Sequence, residues 1–316
     1  MIVNPVIGRE ITERLRGLRA FIALSAFVLV LTLTAFLVYE AAGVNADAFD
    51  LAARTRVGRQ VFESVILIMT VLVLFFVPGI AAGAIAGERE RQTLATLQVT
   101  MLRPRSILSG KVVATVAYLG LLVVAAMPVL AVAYLLGGIR VVDIVRGLAA
   151  VLLVALLLAT MVVAISAFAK RVQTATVLAY AFTVLLVIAG PLGFGVGALL
   201  DARSDDVGDR VAAPAVLLTV NPIVLVSDIG AGTTDSGGGP LSAVRDGVDE
   251  AKEANDDSWV ALFPNAPDQG FDNDPLGRPR TGLPAWLLST LSLAGLAALL
   301  FWGAARRLRA PAEVER

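Results

Sequence analysis

The sequence contains neither cysteine nor histidine. Without cysteine there are no disulfides and no thiol chemistry. Without either residue there is no imidazole or thiolate metal site, no axial haem histidine and no Ser-His or Cys-His nucleophile. An intramembrane protease built on a Ser-His pair is therefore excluded. Charge is also scarce: 16% of 316 residues, against roughly 25% in a soluble domain. What fills the space is apolar. With 57% hydrophobic residues and a mean hydropathy of +0.81, the long uncharged runs describe a polytopic membrane protein.

The runs predict an all-α protein with six spans, at 20–39, 61–86, 112–136, 147–169, 174–200 and 283–304. Residues 1–19 lead into the first. Ile7, Ile11, Leu15 and Leu18 recur there at helical spacing, and Arg9, Glu10, Glu13, Arg14 and Arg16 occupy the other face. That pattern suits an interfacial amphipathic helix, with Ile11 and Leu15 toward the acyl boundary and Arg9 and Arg14 toward headgroups. This lead-in is too long for a signal peptide, so the first span reads as a retained anchor. Residues 40–60 read as polar and irregular. Pro78-Gly79 interrupts the second span, and Lys170-Arg171 makes a tight turn between the fourth and fifth.

Residues 201–282 form the one long polar segment, with fifteen Asp/Glu against six Lys/Arg. An apolar island at 212–226 is too short to span and reads as a re-entrant or surface-lying piece. If both termini are cytoplasmic, segments 1–19, 87–111, 170–173 and 305–316 share one side and hold fifteen Lys/Arg and six Asp/Glu. The other side holds eleven and twenty. The positive-inside rule favours that topology, with the 201–282 loop extracytoplasmic.

Residues 87–111 are a polar interruption between spans two and three. Glu88, Arg89, Glu90 and Arg91 suit a helix start, since carboxylates are favoured there. Leu94, Leu97, Met101 and Leu102 then make an apolar stripe. Pro104 predicts a stop near Arg103, and Ser106 can cap the next helix. The stripe needs a surface, either the membrane or a partner protein. Gly110-Lys111 does not complete a phosphate loop: Arg105 stands where a glycine is needed and Val112 where Ser or Thr is needed. No nucleotide site is legible. The span centres hold almost no ionisable residues, which argues against a proton- or sodium-coupled carrier. Gly190–Gly197 reads as close helix packing rather than a channel filter.

Gly87-Glu-Arg-Glu-Arg-Gln-Thr-Leu-Ala-Thr-Leu, followed by Arg103-Pro-Arg-Ser-Ile-Leu-Ser-Gly-Lys111, resembles the signature of ABC type-2 transporter permeases. Asn4-Pro5 with Arg9-Glu10 is similar to that family's N-terminal connecting helix, and Asn221-Pro222 to a family feature before the last span. Gln92 stands where the pattern has a glycine before Thr93. The resemblance implies a multi-pass permease subunit of an exporter in the plasma membrane of a prokaryote, paired with a second chain of the same or a homologous kind. It implies cytoplasmic ABC ATPase subunits as partners, carrying the ATP and Mg2+ that this chain would not bind itself. Helix 88–102 would be the coupling helix: Glu88 and Glu90 as ion-pair partners, Thr93, Leu94, Leu97 and Met101 as the contact face. Nucleic acid is not an expected partner. A non-transporting membrane anchor or scaffold is the alternative, and an ion-coupled carrier a weaker one.

Overall fold

The computed structural model describes residues 18–43, 51–92, 104–201, 218, 220–230, 239–253 and 285–308. The described residues contain helices and no strand. Six stretches are long and apolar enough to cross a membrane: Phe21–Ala42, Arg54–Glu90, Arg105–Leu136, Val141–Phe168, Val172–Gly193 and Trp286–Arg307. They are carried by α1 (Leu18–Gly43), α2 (Leu51–Ala81) with α3 (Gly83–Glu90), α4 (Pro104–Ala125) with α5 (Met127–Leu136), α6 (Val141–Phe168), α7 (Val172–Asp201) and α10 (Ala285–Arg307). Two shorter helices, α8 (Pro222–Gly230) and α9 (Pro240–Glu253), lie in the expected polar loop.

Several helices begin earlier than their apolar runs. α2 starts at Leu51, within the stretch expected to be irregular. Its first turns are held by burial of Val57, Val61 and Phe62. They are also held by the Gly137-Gly138 turn, which lies directly against Thr55 and Gly58. Gly138 has φ +80°, and a Cβ there would enter the Thr55 backbone, so the turn requires glycine. α6 starts at Val141 rather than 147 because Asp143 caps it: its carboxylate accepts from the Arg140 amide at 3.0 Å and pairs with the Arg140 guanidinium at 3.1 Å. α4 starts at Pro104, not at a Ser106 cap. Proline has no N–H to lose in a first turn, and Ser106 lies inside the helix with its carbonyl accepting from the Ser109 hydroxyl. α7 runs unbroken through Pro191 and the glycine run.

α6 is the centre of the bundle. It packs against α2, α3, α4, α7, α8 and α10. Gly147, Val151, Val154, Leu158, Met161 and Val162 are buried on several of its faces, as a helix with neighbours on all sides requires. α1, α7 and α10 bury least and present Phe21, Leu29, Val177, Leu185, Leu291 and Leu299 outward. Outward apolar side chains of this kind suit hydrocarbon.

α8 enters the bundle. Pro222 meets Val154, Leu158, Leu186 and Leu293, all well inside α6, α7 and α10, around a cavity of about 10 Å³. Its last residue, Gly230, packs beside Gly147, near the first turns of α6. α8 carries residues 222–226 of the apolar island and packs them among the spans.

Candidate functional site

The polar end of α3 lies at the end of the bundle that carries the Lys170 turn. Residues 85–90 make polar links to three neighbouring helices. The amides of Ile85 and Ala86 both donate to Ser166 Oγ of α6 at 3.0 Å, and the Ser166 hydroxyl donates to the Ala82 carbonyl. A hydroxyl has one proton and two lone pairs, so Ser166 is saturated. It fills the interruption between α2 and α3. Beyond it, Arg89 Nη1 donates to the carbonyls of Ala167 and Ala169 at 3.1 and 2.6 Å, at the C-terminus of α6. A guanidinium there also meets the negative end of the helix dipole. Glu90 Oε2 accepts from the Val172 amide at 3.2 Å, at the positive end of α7. Glu88 pairs with Lys111 of α4 at 2.7 Å, with the lysine side chain only 4% exposed.

The helix expected to open at Glu88 instead closes there. Glu88 and Glu90 belong to the last turn of α3, with the Arg91 amide bonded to the Gly87 carbonyl and the Gln92 amide to the Arg89 carbonyl, both at 3.1 Å. Gln92 then adopts φ +60°, the left-handed conformation that ends helices and favours glycine. The position where the family pattern has glycine is thus a helix stop. Glu88 and Glu90 both have partners within the chain. Thr93, Leu94, Leu97 and Met101 lie outside the described residues, as do Arg9, Ile11, Arg14 and Leu15.

Three side chains of this junction do not stand out in the sequence as junction residues. Ser166 had one signal, a lone hydroxyl in the apolar run Val162-Val-Ala-Ile-Ser-Ala-Phe168. Arg89 and Lys111 were visible as charges, but sequence did not show them turned inward.

Carboxylates also organise the opposite end. Glu63 of α2, 1% exposed, pairs with Arg59 at 3.0 Å and accepts from the Ser242 amide at 3.0 Å, so it seats the first turn of α9. Asp228 of α8 accepts from the Trp286 amide at 2.7 Å, at the start of α10. A small cavity of about 10 Å³ lies among Arg59, Phe62, Glu63, Ile139, Asp143 and Gly230. Both cavities are far below the roughly 300–1,000 Å³ of a ligand pocket. Among the described residues no group of acidic side chains is arranged to hold a metal ion.

Six apolar spans with α6 at their centre, closed by polar junctions at each end, define a multi-pass helical membrane protein. The sequence model of the family described as ABC-2 family transporter protein matches residues 5–227, well over half of the chain. The chain belongs to this family and is an ABC transporter permease. No curated protein matches it significantly.

Proposed function

We propose that this permease is the transmembrane subunit of an ATP-driven exporter, moved by separate cytoplasmic ABC ATPase subunits that hold ATP and Mg2+. The observation that carries this reading is the polar junction itself. The family-type stretch that starts at Gly87 is joined to three other helices at its root. A force applied at that stretch reaches the whole bundle. Thr93, Leu94, Leu97 and Met101 supply the contact face for the ATPase, and Glu88 and Glu90 fix the base of that face. Arg9, Ile11, Arg14 and Leu15 lie along the membrane surface beside it.

A second permease chain, the same or homologous, completes the pathway. The cavities between the described helices admit about one water each, whereas the outward faces of α1, α7 and α10 offer apolar surface to a partner chain or to lipid. Both termini and the 87–111 stretch face the cytoplasm of a prokaryotic cell, on the strength of the loop charges.

The test is co-expression with an ABC ATPase encoded beside the gene, followed by co-purification and ATP-dependent export from inverted vesicles. Leu97→Asp is expected to abolish association and export. If Leu97→Asp leaves both intact, the coupling reading is wrong. Topology is checked separately by labelling cysteines introduced at Thr96 and Ser236 in a chain with no native cysteine. Thr96 is expected to react only from the cytoplasmic side, and Ser236 only from outside.

A further inference from the structure

We infer that Arg89 and Ser166 make residues 82–92 a hinged lever, which delivers a push on the 93–103 stretch to α6 and α7 instead of letting α2 absorb it. This rests on the coupling reading above, and it gives separate parts to two residues of the polar junction, Arg89 and Ser166, that the reading takes only as fastenings. The hinge is local. Pro78-Gly79 and the interruption at Ala82 lie within one and a half turns, so the α2–α3 junction is a place where this span can bend. A free bend would let α3 swing without moving anything else. Ser166 prevents that by binding three backbone groups across the interruption, so the hinge pivots on α6.

Arg89 fixes the far end of the lever. It holds two carbonyls on either side of Phe168, the last residue of α6, one helical turn beyond the Ser166 contacts. Two attachments to one helix, at Ser166 and at 167–169, leave α3 no independent rotation. Displacing α3 therefore displaces the end of α6 and the turn into α7. α6 has 28 residues, about 42 Å of rigid helix. It packs against α2, α4, α8 and α10 along that length. Near its start, at Gly147, it lies beside the end of α8, which packs on the α9 helix seated by Glu63. The lever thus has one stiff route from one end of the bundle to the other.

The inference is tested in the full complex with its ATPase. Spin labels are placed at Val142→Cys on α6 and Asp246→Cys on α9, both exposed positions, and their separation is measured with and without Mg·ATP plus vanadate. The parent complex is expected to change its distance distribution. Arg89→Met and Ser166→Ala are expected to keep ATPase association and hydrolysis at the parent level but lose most of the distance change. Arg89→Lys, which keeps a donor, restores part of it. A merely structural role would lower thermal stability without separating hydrolysis from movement. A full distance change in either variant with the complex intact overturns the inference, as does loss of the ATPase from a folded Arg89→Met complex. A parent complex that shows no nucleotide-driven change overturns it too. If one variant does not fold, the other decides. Leu97→Asp stands apart: a Leu97→Asp complex that keeps its ATPase and its distance change overturns the coupling reading, whatever the Arg89 and Ser166 outcome.

Discussion

The side-chain amide of Asn221 donates to the backbone carbonyl of Val187 at 2.9 Å. That carbonyl would accept from the amide of residue 191 in a regular helix, but residue 191 is proline and has no amide hydrogen. Asn221 therefore occupies the bonding position that the proline leaves open in α7. Its other atom, Oδ1, accepts from the Ile223 amide at 2.9 Å and caps α8. Asn221→Ala is expected to destabilise the fold by about 1–3 kcal/mol, from a lost cap and a lost interhelical bond. In a Pro191→Ala background the amide gained at that position can reach the Val187 carbonyl itself. The Asn221 penalty should shrink there by about 1 kcal/mol. Unfolding in mixed micelles for the four chains of the cycle measures this; an unchanged penalty would separate the two residues.

Gln92 has φ +60°, which costs a residue with a side chain about 1–2 kcal/mol. Gln92→Gly is expected to stabilise the end of α3 by roughly that amount, and Gln92→Val to destabilise it further because β-branching crowds the left-handed region. Thermal unfolding of the purified permease checks the order Gly, Gln, Val. Equal stabilities would show that α3 ends in some other way.

Lys111 is nearly buried against Glu88. Removing one partner of a buried pair leaves the other charge uncompensated, at about 3–5 kcal/mol. Because Glu88 is 23% exposed, Lys111→Met is expected to cost closer to ~2–3 kcal/mol. The double variant Glu88→Leu with Lys111→Met is expected to recover most of it. A double variant as unstable as the single one would show that the charges act separately.

Glu63 and Gly239 form the seat of α9. A Cβ on Gly239 would enter the Glu63 carboxylate. Glu63→Ala removes the acceptor of the Ser242 amide and the partner of Arg59. Both Gly239→Ala and Glu63→Ala are expected to raise amide exchange across α9 by at least about tenfold, which corresponds to ~1.4 kcal/mol of local opening. Exchange near Leu158 in α6 should stay as it is. Uniform acceleration throughout the bundle would instead mark global loosening.

The apolar runs were enough to find all six spans, because each exceeds the roughly 20 residues a bilayer needs. They misplaced the starts of α2 and α6, where charged residues such as Arg54, Arg59, Asp143 and Arg146 lie inside the helix. A hydropathy reading assigns such residues to loops, whereas capping and ion pairs carry them into the first turns. The 87–111 stretch stands out in the sequence as a polar interruption between two spans. From sequence its carboxylates suit outward partners on another protein, because sequence alone does not show that Lys111, Arg89 and the α7 N-terminus converge on the same turn. Ser166 was illegible for a related reason. A single serine in an apolar run is common, and its three backbone partners lie about eighty residues away in the chain.

The Ser166 contacts also bear on permeability. An interrupted helix within a membrane usually exposes backbone amides and carbonyls that recruit water, and a chain of such waters is a path for protons. Here Ala82, Ile85, Ala86 and Ser166 are all fully buried, and the hydroxyl supplies one acceptor for two amides and one donor for a carbonyl. The backbone groups at this interruption are thus met by protein, with Ser166 in the place a water would take.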